Sequence, residues 1–543
     1  MVGVRDLAAS SVGRTRRLQL IVAGGLLVAM ALVLAPVGGF LSAGDHAVAI
    51  VFVFALLVPV LFWKVRESPV IVLVIAATSI ERFADPSPDA ITAKVPLFRS
   101  FAEVYGISGA IVTPIELVII VALLIWLARG VAERHIQFRA SPLGVGIMVL
   151  LGMALAMEAF GLGKGGIFNI SLWELRPFIY VSVAYLLASQ LVGGRATLEA
   201  ILWGMVIGTG LKGLEGTERV ITLANVVPKP EAILEHDESF FFSCFIALTV
   251  ALWLFGKRGW LRRVATLFLP LVITADLGNN RRAAWVMLPA MLLALAIVTY
   301  IRTPHHRKLI AWIVGVLLTL GIGYVLAFRH SESLYAEPAR AVWSQWQPDP
   351  RDANSNLYRQ LENANLAIDI RVSAFTGTGF GVPIAHPIPL YDASNIDPLI
   401  NFIPHNNILY VWLRLGTLGA IAFWWMIGAA IVASARLARH PDQTFGLFGA
   451  VAMMAVMAWL VQGWLDVGIT SFRIVLLVGS LLGGVAAAHR IAAKEAATPA
   501  VEQPASRRKR RPPPGPRARA RAQVLPLPER TREPAAARSL TGS

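Results

Sequence analysis

The chain of 543 residues is 56% hydrophobic and only 15% charged, and its mean hydropathy is +0.63. Soluble domains carry about a quarter charged residues, so this composition excludes an ordinary soluble protein. The formal net charge is +16 and there is one cysteine, Cys244, which excludes an intramolecular disulfide.

The N-terminus is basic and precedes a long apolar run. Four arginines lie within residues 1–17, and the run that starts at Leu18 lacks a clean small-residue cleavage site. This pattern predicts a basic cytoplasmic N-terminus over 1–17 and an uncleaved first helix.

About fourteen apolar stretches follow along the chain, and about 20 apolar residues are enough to cross a bilayer as a helix. We therefore predict an all-α polytopic integral membrane protein with about 12–14 transmembrane helices, most of them within 18–328 and the last within 406–490. The predicted spans are 18–42, 46–63, 69–80, 108–128, 142–160, 177–192, 197–215, 239–256, 264–279, 283–301, 309–328, 407–433, 446–465 and 470–488.

Basic residues cluster on alternate loops between these spans. By the positive-inside rule this side is cytoplasmic, and both termini fall on it. The C-terminal tail, 491–543, is rich in Pro, Ala and Arg, and from residue 494 it holds 12 Lys and Arg against 4 Asp and Glu. We expect a disordered cytoplasmic tail that attracts anionic membrane lipids rather than nucleic acid.

The longest segment between predicted spans, 329–405, falls on the opposite, external side. It contains five arginines and eight acidic residues, so its net charge is −3. Loops of this length are usually functional or disordered. Apolar residues at helical spacing predict an amphipathic helix on the membrane surface. They are Leu357, Leu361, Ala364, Ala367, Ile368 and Val372.

Residues suited to phosphate-ester chemistry begin three predicted spans at this outer surface. Arg176 begins the sixth span, Arg281 and Arg282 begin the tenth, and His405 begins the twelfth. Arginine binds phosphate oxygens with several donors at once, and histidine accepts a proton near neutral pH. Together they predict cleavage of a lipid-linked diphosphate sugar, with arginines on the leaving group and His405 activating an acceptor hydroxyl.

Structural roles are the alternative for each residue. Arginines at helix ends snorkel to lipid headgroups, and Asn406 suits a helix cap. Arg414 lies roughly 13 Å deeper along a helix than His405. At that depth a charge faces a cavity or forms a salt bridge, for which Asp466 and Glu116 are the candidate partners.

Two other motifs predict structure rather than chemistry. Residues 236–238, His-Asp-Glu, resemble a metal cluster, but adjacent residues cannot all face one ion on a helix, so we expect an exposed polar helix start. Gly377, Gly379 and Gly381 follow no strand, so we expect a tight turn rather than a nucleotide loop. We expect neither a metal nor another cofactor.

The order of these motifs resembles that of the O-antigen ligase and O-antigen polymerase superfamily of bacterial membrane glycosyltransferases. The strongest match is the segment 359–419, which contains Arg359, the glycine-rich turn, His405-Asn406 and a Leu-Gly-Thr-Leu-Gly helix. Arg282 corresponds to the arginine of the family's Ser-Arg-Gly-Ala-like motif, and Arg176 to the arginine of an earlier segment.

The sequence departs from the family at two positions. Arg281 stands where the motif has a serine, and Arg414 stands where an acidic residue is common. Either departure would imply a different acceptor or a different tuning of the site. Arg281, Arg414 and Asn406 are also candidate substrate-binding residues.

The resemblance implies a metal-independent glycosyltransferase whose site faces outward from the bacterial cytoplasmic membrane. Its donor would be a glycan on undecaprenyl diphosphate, and its acceptor a hydroxyl of a lipid, glycan or protein. Arg176 and Arg282 would bind the diphosphate, and His405 would act as the base. Arg359 and Arg371 would contact donor or acceptor.

Ligase and polymerase share all of these features, and two other functions stay open. A lipid-linked oligosaccharide flippase or exporter would carry polar groups near the bilayer midplane, where Arg414 is predicted. A scaffold for polysaccharide assembly would use the basic tail, but it leaves the arginines and His405 unexplained.

Overall fold

The computed structural model describes residues 57–82, 90–106, 109–133, 141–226, 232–331, 333–344, 347, 350–391, 394 and 398–497. The predicted N-terminus and first span, most of the second span and the tail beyond residue 497 lie outside these residues. The chain divides into two units, Met1–Ala492 and Ala493–Ser543. The site and the helices described below belong to the first unit, except that the last five residues of the final helix belong to the second.

All regular structure in the described residues is helical, and each predicted span from the third onward overlaps one helix. The α-helices are α1 (Ser68–Ser79), α2 (Phe101–Tyr105), α3 (Pro114–Ala132), α4 (Pro142–Gly163), α5 (Phe168–Leu191), α6 (Arg195–Thr222), α7 (Glu238–Leu254), α8 (Trp260–Asn279), α9 (Ala284–Arg302), α10 (Arg307–Phe328), α11 (Glu337–Trp343), α12 (Pro350–Ser373), α13 (Asn407–Ala438), α14 (Gln443–Leu465) and α15 (Phe472–Ala497).

Eight of the described helices are long and apolar enough to cross a membrane, so the chain is an all-α polytopic membrane protein. They are α3, α4, α5, α9, α10 with the short turn before it, α13, α14 and α15. Helices α1 and α7 are apolar but shorter. The predicted total of about 12–14 spans also counts α1, α6, α7 and α8, together with the first two predicted spans, which lie wholly or mostly outside the described residues.

Helices α14 and α15 form the centre of the bundle, with 78% of their apolar windows buried, whereas the window of α10 has no buried residue and lies at the periphery. Glycines allow α15 to approach α5 closely. A Cβ at Gly479 would lie 2.5 Å from the carbonyl oxygen of Val181, and one at Gly483 would clash with that of Tyr185. Small residues at this spacing bring membrane helices into backbone contact.

Helix α5 begins at Phe168, so the predicted start of this span at residue 177 is wrong. Pro177 lies inside the helix, and Arg176 lies in the third turn rather than at the end. The extra turns contain polar side chains whose partners lie within the protein. Ser171 donates to Glu158 at 2.6 Å, and Glu174 is ion-paired with Arg414 at 2.7 Å. The polar residues that ended the apolar run therefore do not end the helix.

The predicted tight turn at the three glycines is confirmed. Gly377, Gly379 and Gly381 all have positive φ, and so does Gly416 within α13, with φ 65° and ψ −175°. A Cβ at Gly416 would clash with the carbonyl oxygen of Phe375. Side chains other than glycine rarely adopt this backbone conformation. The glycine turn therefore packs closely against the kink of α13. This contact holds α12 against the first half of α13.

Candidate active site

A cavity of about 420 Å³ lies at the end of the bundle where α8 and α14 end and α9 and α13 begin. Helices α11 and α12 and the residue His236, just before α7, supply the rest of its wall. Its charged and titratable lining is Arg281, Arg282, Arg340, Arg359, His236, His405, Glu337 and Asp466. The structure therefore brings four of the predicted site residues, Arg281, Arg282, Arg359 and His405, to one cavity.

His405 is held by Glu362, which projects from α12. The backbone N–H of His405 donates to Glu362 at 3.1 Å, and both carboxylate oxygens lie 3.2 Å from Nδ1 of the imidazole. Glu362 is 4% exposed, whereas the His405 side chain is 27% exposed. The ring of Tyr358 packs edge-on at 6.0 Å between centroids. Because Nδ1 is engaged, Nε2 is the nitrogen left for a substrate.

Glu362 also adjusts the proton affinity of His405. Burial lowers the pKa of His405, but the hydrogen bond to Glu362 and the negative charges of Glu362 and Asp466 outweigh it, so the pKa is raised above its ordinary value. A neutral histidine with a raised pKa is a stronger base. This pair has the arrangement of an oriented general base.

Arginines surround the same space, and two of them are already oriented by hydrogen bonds. Arg282 donates to the side chain of Asn356 at 2.8 Å, which ties the start of α9 to α12. Arg359 donates to the carbonyl of Leu465 at 3.0 Å and lies 4.0 Å from Asp466. Guanidinium groups held around a cavity suit an anion with several oxygens, such as a diphosphate.

No family model matches this chain, and no curated protein matches it. Its function must therefore be inferred from the geometry of the cavity and from the residues that support it.

Two asparagines hold the start of α13, on which the position of His405 depends. Asn406 caps the helix by accepting from the N–H of Leu409 at 3.2 Å, which confirms the capping alternative. Asn407, which was not predicted from the sequence, is completely buried. It accepts from the N–H groups of Ile469 and Thr470, each at 2.9 Å, and donates to Pro404 at 2.8 Å.

Arg414 is completely buried and is not among the residues that line the cavity. Its partner is Glu174 on α5 at 2.7 Å, so the suggested pairing with Asp466 or Glu116 is wrong. It also donates to the carbonyls of Gly379, Val382 and Phe402 at 3.2, 2.7 and 2.8 Å. These contacts match the structural alternative, in which Arg414 ties the glycine turn to α5 and α13.

The other two predicted arginines lie elsewhere. Arg176 is 5% exposed, pairs with Glu116 at 2.8 Å, and its guanidinium carbon lies 4.1 Å from the ring centroid of Trp173. Arg371 lies in the last turn of α12 and is exposed. Neither is among the cavity-lining residues, and their substrate-binding roles stay predictions.

The predicted exposed helix start at residues 236–238 is wrong for two of its three residues. Asp237 and Glu238 are 7% and 0% exposed. Glu238 pairs with the buried Arg473 of α15 at 2.6 Å, and Asp237 accepts from Ser471. Only His236 reaches the cavity. Within the described residues no group of three or more His, Cys, Asp or Glu side chains is arranged to hold a metal ion.

Five charged or titratable residues of this site were not predicted as functional candidates: His236, Glu337, Arg340, Glu362 and Asp466. These residues come together through contacts between distant segments of the chain. The spacing of residues within one segment does not reveal such contacts. The one indication in the sequence was the number of charged residues within 329–405, which include Glu362 and Arg340.

Proposed function

We propose that the protein transfers a glycan from an undecaprenyl-diphosphate-linked donor to an acceptor hydroxyl at the outer face of the bacterial cytoplasmic membrane, in the synthesis of cell-surface polysaccharide. The observation that carries the proposal is His405, which is oriented by Glu362 and lines the same cavity as Arg281, Arg282, Arg340 and Arg359. A base and a diphosphate-binding group are the two parts that this reaction needs.

In the proposed reaction Nε2 of His405 takes the proton of the acceptor hydroxyl, and the oxygen attacks the anomeric carbon of the donor. The bond from that carbon to the diphosphate oxygen breaks, and its electron pair stays on the diphosphate. Glu362 stabilises the imidazolium that forms. The arginines stabilise the negative charge that develops on the leaving group, and they do so most strongly in a cavity with little water.

An apolar groove beside the cavity supports a substrate with a lipid tail. Its volume is about 300 Å³, and only apolar side chains line it: Val286, Ile408, Trp424, Leu460, Val461, Trp464 and Leu465. Val286 lies one helical turn beyond Arg282, and Ile408 lies three residues beyond His405. The groove is therefore adjacent to the polar cavity on the same helices. An amphiphile with a charged head and an isoprenoid chain matches both environments.

The transporter alternative depended mainly on Arg414. A charge that serves transport faces a water-filled path or changes its partner during the cycle. Arg414 is completely buried and its contacts hold the glycine turn, so this residue no longer favours transport.

The test is transfer by the purified protein in lipid nanodiscs, with an undecaprenyl-diphosphate-linked glycan and candidate acceptors, and without nucleotide. We expect loss of glycan from the carrier with the wild type and none with His405→Ala. His330→Ala is the matched control, because His330 is exposed and does not line the cavity. A ladder of products identifies a polymerase, and a single modified acceptor identifies a ligase.

An intact donor with the wild type, across several glycans and acceptors, would contradict the proposal. Equal transfer by the wild type and His405→Ala would retain a glycosyltransferase but remove His405 as its base.

A further inference from the structure

A second histidine–carboxylate pair lines the same cavity. Nδ1 of His236 lies 3.5 Å from a carboxylate oxygen of Asp466, and a guanidinium nitrogen of Arg359 lies 4.0 Å from that oxygen. The side chain of His236 is 44% exposed and that of Asp466 is 12% exposed. His236 is thus the more accessible member of the pair, and Nε2 is the ring nitrogen that Asp466 does not hold.

The backbone that carries His236 is anchored on both sides. Glu235 pairs with Arg473 at 3.1 Å and accepts from the backbone N–H of Arg82 at 2.8 Å. Asp237 and Glu238, on the other side, are held by Ser471 and Arg473. Because its neighbours are buried, His236 is presented to the cavity from a fixed position.

Asp466 is a permanent negative charge within this positively charged cavity. Burial raises the pKa of Asp466, but its hydrogen bond with His236 and the positive charges of His236, Arg359 and His405 outweigh burial and hold the pKa well below its usual range. Its carboxylate is therefore ionised throughout the pH range of an assay. An ionised carboxylate beside an imidazole orients the ring and stabilises its protonated form.

We infer that His236, held by Asp466, is the general acid that protonates the leaving diphosphate. This inference rests on the proposed function and assigns a second catalytic histidine to it. Two histidines with separate carboxylate partners line one cavity, so a proton acceptor and a proton donor are both available to a substrate bound there.

The protons and electrons of the step balance. The acceptor hydroxyl gives its proton to His405 and its oxygen forms the bond to the anomeric carbon. The bond between that carbon and the diphosphate oxygen breaks, and the oxygen keeps the electron pair. That oxygen takes the proton of Nε2 of His236. His405 then loses its proton to solvent, and His236 gains one.

The charged groups around His236 come from every wall of the cavity. They are Asp466 after α14, Glu337 and Arg340 on α11, Arg359 on α12, Arg281 and Arg282 before α9, and His405 before α13. Asp466 is the carboxylate in contact with the ring, whereas Glu337 is paired with Arg340. Asp466 is therefore the partner whose removal tests the role of His236.

The experiment measures kcat/KM for transfer against pH, with the wild type, His236→Gln and the control His330→Gln in nanodiscs. For the wild type we expect a fall at low pH, as His405 is protonated. In His236→Gln this acid fall should stay in place and the maximum should be lowered about 100-fold, because glutamine donates a hydrogen bond but transfers no proton. His330→Gln should match the wild type.

Asp466→Asn is the second variant and decides the case where His236→Gln fails to fold. It keeps the histidine but removes the carboxylate that orients the ring, so kcat/KM should fall at least about tenfold. A kcat/KM within a few fold of the wild type in His236→Gln, or in Asp466→Asn, would overturn the inference while leaving glycan transfer intact. No transfer by the wild type would overturn the proposed function and this inference with it.

Discussion

Both carboxylate oxygens of Glu362 lie 3.2 Å from Nδ1 of His405, although the two residues are 43 positions apart in the sequence. Glu362 also accepts from the backbone N–H of His405, so one carboxylate fixes both the ring and the start of the helix behind it. The base can therefore rotate little between turnovers, which favours a defined position of Nε2 relative to the substrate.

The first prediction concerns the pH dependence that Glu362 imposes. Transfer needs neutral His405, so activity should rise as the pH rises through the raised pKa of His405. Glu362→Gln removes the negative charge and should lower that pKa. The acid limb should then move to lower pH, while the maximal rate falls about 100-fold because the amide stabilises the imidazolium less. A pH profile of kcat/KM for both proteins measures the two effects.

The same pair sets a dependence of stability on pH that provides a control. Folding raises the pKa of His405, so stabilisation by the pair is fully present below the unfolded pKa, about 6.5, and is lost as the pH rises through the folded pKa. The wild type should melt above Glu362→Gln at low pH, and the difference should shrink in alkaline buffer. An equal difference at all pH values would show that Glu362 acts by packing alone.

The second prediction tests whether arginines of the cavity bind the diphosphate of the donor. Arg282→Lys and Arg359→Lys should raise the KM for the donor, because an ammonium group cannot reproduce forked contacts with a diphosphate. Losing one charged hydrogen bond costs about 1.5–3 kcal/mol, roughly 10- to 150-fold in kcat/KM. Arg258→Lys is the control, because Arg258 is exposed and does not line the cavity. Equal KM values in all three variants would argue against diphosphate binding there.

The third prediction tests the apolar groove. Val286→Trp and Leu460→Trp add bulk to its lining, so they should raise the KM for a donor with an undecaprenyl chain. A donor with the same glycan diphosphate on a chain of one or two isoprene units should be affected little. Leu318→Trp, on the peripheral helix α10, controls for added bulk at an exposed position. Equal effects on long and short donors would show that the groove does not hold the chain.

Much of the fold was predictable because bilayer-crossing helices are long runs of apolar residues, and the predicted spans from the third onward each overlap a helix. The errors lie where polar residues are buried. Helix α5 continues back to Phe168 because Glu174 has a partner in Arg414 on α13. A sequence shows the polar residue but not the partner, which lies on a different helix.

The candidate site, like the fold, was predictable in part. Arg281, Arg282 and His405 begin spans of the same orientation, and topology alone predicts that they lie at one end of the bundle. Their carboxylate partners were not predictable, because the contacts of His405 with Glu362 and of His236 with Asp466 join segments 43 and 230 residues apart. Arg176 was also predicted to lie at this end of the bundle, but it does not line the cavity. It lies in the third turn of α5 and pairs with Glu116.

The last prediction decides between the structural and the substrate-binding roles of Arg414. Arg414→Met leaves Glu174 buried without its counter-charge, which should lower the free energy of unfolding by about 3–5 kcal/mol. The double variant Arg414→Met with Glu174→Gln should recover much of that loss, because the amide oxygen can accept from the N–H of Gly381 while the amide NH2 donates to the hydroxyl oxygen of Tyr410. Thermal unfolding in detergent measures both effects.

The companion measurement is donor binding to the same variants. If Arg414 ties the glycine turn to α5 and α13, the double variant should bind the donor about as well as the wild type, because the cavity is lined by other side chains. If Arg414 binds the donor directly, the double variant should regain stability without regaining affinity. Arg414 would then be a substrate contact that the donor reaches only after the glycine turn moves.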